Sequence, residues 1–208
     1  MLKKMMLAAA ALMMLAACNG SKTTHLSGDF GENAPNRIKV SVGDGFDTAV
    51  SVTDGKFELD VPVDLTVLSR ARIGTSVYSF ISDGSKITLD PESGKAFSNK
   101  KDGPHTHYVE YVNWMDDFLA EYRKKVDEIG DDKPAADALF NEMKGQYDEY
   151  QKATIKANKG NFLGLMALRQ IESDDPKEML PLIKTLSSKM QQVPEVAKLK
   201  KEYEDMLK

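Results

Sequence analysis

The sequence predicts an α+β fold, with an N-terminal antiparallel β-sandwich or open barrel followed by a C-terminal helical region. Three observations predict it. Over residues 25–90 apolar and polar residues alternate in short runs, the pattern of half-buried strands. Beyond Pro104 the apolar spacing lengthens to about three and a half residues, as on helices that bury one stripe. Residues 91–103 between them are polar and contain Pro91, Gly94 and Gly103, which marks a connection between two regions.

The chain opens with Lys3 and Lys4, an apolar run over residues 5–15, and Leu15-Ala16-Ala17-Cys18. A positive start, about 7–15 apolar residues and small residues at the cut make a secretory signal. The run is shorter than the roughly 20 residues a membrane-spanning helix needs. Ala16 and Ala17 directly before a cysteine resemble the lipobox of bacterial lipoproteins, whose cysteine receives a diacylglycerol on sulfur and becomes the mature N-terminus. That resemblance implies a signal peptide over residues 1–17, lipidation of Cys18, and the membrane as a partner through the lipid. Two or more acyl chains hold a protein lastingly where one does so only marginally. The alternative is an ordinary secretory signal cut nearby, which leaves Cys18 a free thiol. Residues 18–24 are polar and lack apolar periodicity, as suits a flexible tether.

Strands are expected over residues 26–30, 37–42, 48–52, 56–61, 65–73, 77–81 and 86–89. In the fourth of these Phe57, Leu59 and Val61 share one face, while Lys56, Glu58 and Asp60 face water. Thr53-Asp54-Gly55 is the sharpest hairpin signal, because Asp-Gly supplies the positive φ angles of a tight primed turn. Asp83-Gly84 is expected to repeat the device. Strands so closely spaced predict a sandwich or barrel.

The helical region begins with a stripe of Tyr108, Tyr111, Val112, Met115, Leu119, Tyr122, Val126 and Ile129. Asp131-Asp132-Lys133-Pro134 ends that helix and opens a second, striped by Leu139, Met143, Tyr147, Tyr150 and Thr154. A short turn between them predicts an antiparallel pair. A third, more apolar helix is expected over residues 162–171. A fourth, capped by Asp175-Pro176, carries Met179, Leu182, Ile183, Leu186 and Met190, and a fifth starts at Pro194. The organisation expected is therefore a β domain over residues 25–90, a connection over 91–103 and a helical region over 104–208.

Lys and Arg number 28 against 32 Asp and Glu, and removal of residues 1–17 lowers the basic count to 26. A net negative chain argues against nucleic acid as a partner. The short basic groups at Lys100-Lys101 and Lys198-Leu199-Lys200-Lys201 are surrounded by acids and read as solvated surface.

Leu26-Ser27-Gly28, the stretch from Asp47 through Asp54-Gly55 to Leu59, and Tyr78-Ser79-Phe80-Ile81-Ser82-Asp83-Gly84 through Leu89 together resemble a known module. It is the domain of unknown function that precedes thioredoxin-like domains in envelope lipoproteins of Bacteroidetes. Asn158-Lys159-Gly160-Asn161-Phe162 through Leu168, and Val193-Pro194-Glu195-Val196, are similar to that family's linker helices. In longer members a thioredoxin-like domain with a Cys-x-x-Cys pair follows, whereas this chain stops at Lys208. Thiol exchange needs an attacking thiolate and usually a resolving cysteine, and Cys18 is the only cysteine in the sequence. What the resemblance implies is the accessory module, with a thioredoxin-like or other envelope protein as partner.

The remaining chemistry is sparse. His105 and His107 point in different directions on a helix, so a metal site is not expected; they stand as candidate ligand or partner contacts beside a reading as solvated helix start. Trp114 lies off the tyrosine stripe and is the better contact candidate. Gly43-Asp44-Gly45 reads as a strand turn, because no phosphate-loop lysine or helix start follows. Asp131-Asp132 and Asp174-Asp175 sit at helix starts, where acids favour the dipole. Neither a Gly-x-Ser-x-Gly elbow nor a His-Glu-x-x-His pattern occurs. The expectation is a non-catalytic envelope lipoprotein with a binding or scaffold role and no cofactor. A detached accessory subunit of a separate thioredoxin-like oxidoreductase, and an enzyme with an unrecognised site, are the alternatives. Residues 19–25 carry no acid, which by the same resemblance places the anchored protein on the outer membrane facing the periplasm.

Overall fold

The computed structural model describes residues 23–32 and 34–208, so the expected signal peptide and Cys18 lie outside the described residues. The architecture is α+β, with two four-stranded sheets followed by helices. The strands are β1 (Thr23–Asp29), β2 (Arg37–Val42), β3 (Phe46–Ser51), β4 (Lys56–Pro62), β5 (Asp64–Ile73), β6 (Ser76–Ser82), β7 (Lys86–Asp90) and β8 (Lys95–Ser98). One sheet has the order β4-β1-β7-β8 and the other β3-β2-β5-β6. All pairs are antiparallel except β1 with β7.

The sheets share one core. Leu26, Phe57, Val61, Ile87 and Leu89 from the first meet Ile38, Val40, Ala71, Tyr78 and Phe80 from the second, all nearly or wholly buried. Burial of one such side chain stabilises the fold by roughly 1.5–3 kcal/mol relative to exposure. Phe57 and Val61 point inward while Glu58 and Asp60 are exposed, as the alternation requires. The turn Thr53-Asp54-Gly55-Lys56 has φ of +50° at Asp54 and +78° at Gly55, with Thr53 and Lys56 exchanging both backbone bonds at 2.9 Å. That is the primed geometry Asp-Gly permits.

Four expectations are corrected. The expected tether over residues 18–24 overlaps β1: Thr24 is fully buried there, and its Oγ1 accepts from the Gly84 N–H at 2.8 Å. The expected connection over 91–103 contains β8, whose Ala96 enters the core while Phe97 stays 44% exposed, so one small inward residue carries the whole apolar signal. Asp83-Gly84 is no hairpin. It carries the chain from one sheet to the other, only Gly84 has positive φ, and the Asp83 carboxylate accepts from the Ser85 N–H at 3.0 Å. The expected fourth helix stops before Met190, because Leu186 is extended and the Ser187 hydroxyl caps a new short helix by accepting from the Met190 N–H.

The helices are α1 (Pro104–Ile129), α2 (Lys133–Ala157), α3 (Phe162–Arg169), α4 (Pro176–Thr185), α5 (Ser188–Gln191) and α6 (Pro194–Asp205). Asp132, Asn161 and Asp175 cap α2, α3 and α4 through their side chains. A second core joins the helices to the back of β5 and β6. Ile81, Tyr111, Ile155, Leu163, Leu168, Ile183 and Val196 are buried in it, with Leu65 and Leu68 packed alongside. The register shift between Asp64 and Ser69 lets β5 serve both cores, since Val67 packs into the sandwich. Close packing recurs at Gly164, where an added Cβ would collide with the Asn158 carbonyl.

A candidate binding cleft between the first two helices

The start of α1 fixes where the helical hairpin stands. α1 lies against β6 and β8, the neighbouring edges of the two sheets. His105 sits there with no exposed surface. Its Nδ1 accepts from the Ile81 N–H of β6 at 3.3 Å, so Nε2 carries the proton and donates to the Ala96 carbonyl of β8 at 3.0 Å. The ring thus bonds one sheet edge on each side. Burial pulls its pKa below the ordinary histidine value, against the opposing pull of the Ala96 bond and the Asp83 charge. His105 is therefore a buried structural link, neither a solvated helix start nor a surface contact.

His107, two residues on, faces elsewhere. Nε2 lies 2.7 Å from Asp102 Oδ1 and Nδ1 3.3 Å from Asn158 Oδ1, which ties the start of α1 to the end of α2. Trp114 faces α2: its ring stacks on Tyr150 at 3.5 Å between centroids and 12° between planes, with Phe118 at 4.9 Å. A residue off the tyrosine stripe has become part of the helix–helix contact, because α2 approaches α1 from that side. Tyr111 is buried beneath, its hydroxyl donating to Gln151 Oε1 at 2.8 Å. Burial pushes that hydroxyl up to about 12, opposed by the Gln151 bond.

Beyond these contacts the two helices outlast their support. α3 packs against both near their base. Past its end a cleft of about 450 Å³ opens, lined by Met115, Phe118, Leu119 and Tyr122 of α1, by Phe140, Met143, Lys144, Tyr147 and Asp148 of α2, and by Gln170 and Glu172. Its volume falls in the range of about 300–1,000 Å³ typical of small-molecule sites. Phe140 is 55% exposed and Leu119 40%. The Tyr147 hydroxyl donates to Gln170 Oε1 at 2.8 Å, and Lys144 Nζ pairs with Asp148 Oδ2 at 2.7 Å.

No protein-family model matches the chain, and no curated protein or solved structure is significantly similar to it.

The cleft unites residues that the sequence distributes over two stripes and the end of a third helix. Of the stripe residues, Met115, Leu119, Tyr122, Met143 and Tyr147 line it, and the contact candidate Trp114 adjoins it, its ring centroid 4.9 Å from that of Phe118 and 6.3 Å from that of Tyr147. His105 and His107 lie at the opposite end of the hairpin, and Cys18 is outside the described residues. Phe118, Phe140, Lys144, Asp148, Gln170 and Glu172 were not singled out. The available signal was length: the apolar stripes of α1 and α2 run far beyond what the eight residues of α3 can cover. Among the described residues no three His, Cys, Asp or Glu side chains gather as a metal site, and no helix is long and apolar enough to cross a membrane.

Proposed function

We propose that this protein is a lipid-anchored bacterial envelope lipoprotein with a non-catalytic binding role, and that the α1–α2 cleft captures a small apolar ligand. The observation that carries the binding role is the cleft itself, a concave surface of mostly aromatic and aliphatic side chains with polar groups gathered at one end. Its titratable groups favour binding over catalysis. Lys144 is ion-paired with Asp148, which raises its pKa and keeps it an ammonium rather than a nucleophilic amine, and the Tyr147 hydroxyl donates to Gln170. The anchor is supported by Lys3, Lys4, the apolar run and Ala16-Ala17-Cys18.

The strand and linker pattern that resembles the module preceding thioredoxin-like domains supports a second reading, an accessory subunit of a separate thioredoxin-like oxidoreductase. This sequence offers no Cys-x-x-Cys pair of its own.

Two measurements test the first reading. Cells fed an alkyne-tagged palmitate should label the wild-type protein and not Cys18→Ala; an unlabelled wild type rejects the anchor. The neutral fluorophore N-phenyl-1-naphthylamine should bind the purified protein with one-to-one saturation and weaken severalfold with Phe118→Ala or Phe140→Ala. Absence of binding, or binding indifferent to both substitutions, rejects the cleft as the site.

A further inference from the structure

We propose that the cleft selects an apolar molecule bearing one positive charge, an alkyl- or aryl-ammonium, whose charged end lies among the aromatic faces beside Asp148 and Glu172. This deepens the proposed function and rests on it. Four aromatic rings line the cleft, those of Phe118, Tyr122, Phe140 and Tyr147. The face of an aromatic ring is its negative part and attracts a cation brought within about 6 Å. The charged lining has the same sign: two carboxylates, Asp148 and Glu172, stand against the single ammonium of Lys144.

Lys144 does not reverse that sign. Its Nζ is committed to Asp148 at 2.7 Å, and Glu172 has no ion-pair partner among the described residues. The surroundings register the excess. The Tyr147 hydroxyl is pushed up first by burial and then by the charges of Asp148 and Glu172. The Lys144 ammonium is held above its ordinary range by the bond to Asp148, with Glu172 and Glu178 adding to the effect. A ligand carboxylate entering here would meet Glu172 and would have to draw Lys144 away from Asp148. A ligand ammonium is attracted by Glu172, and the Lys144 charge opposes it only in part because Asp148 offsets that charge. The apolar remainder of the ligand extends along Met115, Leu119 and Phe140 toward the open end of the hairpin.

Three probes of one shape test this: 4-phenylbutylammonium, 4-phenylbutanol and 4-phenylbutyrate. Each is titrated against the naphthylamine-loaded protein, with the fluorescence of Trp114, the single tryptophan, as a second readout because its ring stacks on Phe118. The ammonium should displace the fluorophore at a concentration about tenfold below the alcohol, the size of one modest cation–π or ion-pair contact, and the carboxylate should be weakest. Added salt should narrow the difference. Glu172→Gln, at an exposed position, should bring the ammonium within about threefold of the alcohol, since it removes part of the charge but none of the rings. Equal displacement by ammonium and carboxylate, or a preference unchanged in Glu172→Gln, overturns the charge selection. If the fluorophore and the alcohol bind while the ammonium gains nothing, the cleft reading survives and this inference fails. If nothing binds, both fail.

Discussion

The two ends of the α1–α2 hairpin are built from the same kind of sequence and have different surroundings. At the base, His105 and Tyr111 of α1 and Gln151, Thr154 and Ile155 of α2 are buried against the sheet edges, α3 and α4. Beyond Met115 no residue of α1 is buried, and in the first half of α2 only Leu139 and Met143 are, whereas Leu119, Val126 and Phe140 are 40%, 38% and 55% exposed. The lengths explain it. At 1.5 Å per residue the 26 residues of α1 span about 39 Å, whereas the eight of α3 span about 12 Å. An apolar stripe records where a helix can be covered; the length of the covering element decides where it is. The cleft opens where that cover ends.

The largest difference between the ends should appear in side-chain truncation. Leu168→Ala, at a fully buried position of the base, should cost about 2–5 kcal/mol in urea unfolding. Phe140→Ala removes a larger side chain at the tip and should change stability by no more than about 0.5 kcal/mol. Comparable losses would mean that the tip is covered in solution and would break the comparison.

A second effect of similar size, confined to the base, concerns the link through His105. Replacement by Ala strands the Ile81 N–H and the Ala96 carbonyl, at about 1–3 kcal/mol for each buried group left unpaired. The same link sets a pH dependence. The folded pKa is depressed below the unfolded value near 6.5, so the unfolded chain takes up the proton first. Stability from this residue is complete above about pH 6.5 and falls as the pH is lowered toward the folded pKa. The melting temperature should therefore drop from pH 7.5 to pH 5 more steeply in the wild type than in His105→Gln. Parallel profiles would remove His105 as the source.

The sequence carried the sandwich well because strand alternation is local. Phe57 and Val61 inward, Glu58 outward and the Asp54-Gly55 turn need no knowledge of partners. Features that depend on a distant partner were not legible. The parallel pairing of β1 with β7 joins segments some sixty residues apart. β8 offers only Ala96 to the core, and Asp83-Gly84 has the composition of a hairpin turn without paired strands on either side. His105 looked like a solvated helix start because its two bonding partners lie 24 and 9 residues away on different sheets. Trp114 was set apart as a contact candidate because its packing depends on the side from which α2 approaches. The cleft was hidden for the same reason, since every stripe was expected to find its cover.

Native-state hydrogen exchange along the hairpin reports whether its base is enclosed and its tip open. Amides of residues 120–129 and 133–142 should exchange through local opening, at least about 100-fold faster than those of residues 105–114 and 149–155, which await global unfolding. The contrast should not depend on protein concentration. Equal protection at both ends would contradict it, because the tip would then be as firmly covered as the base and there would be no open cleft to fill.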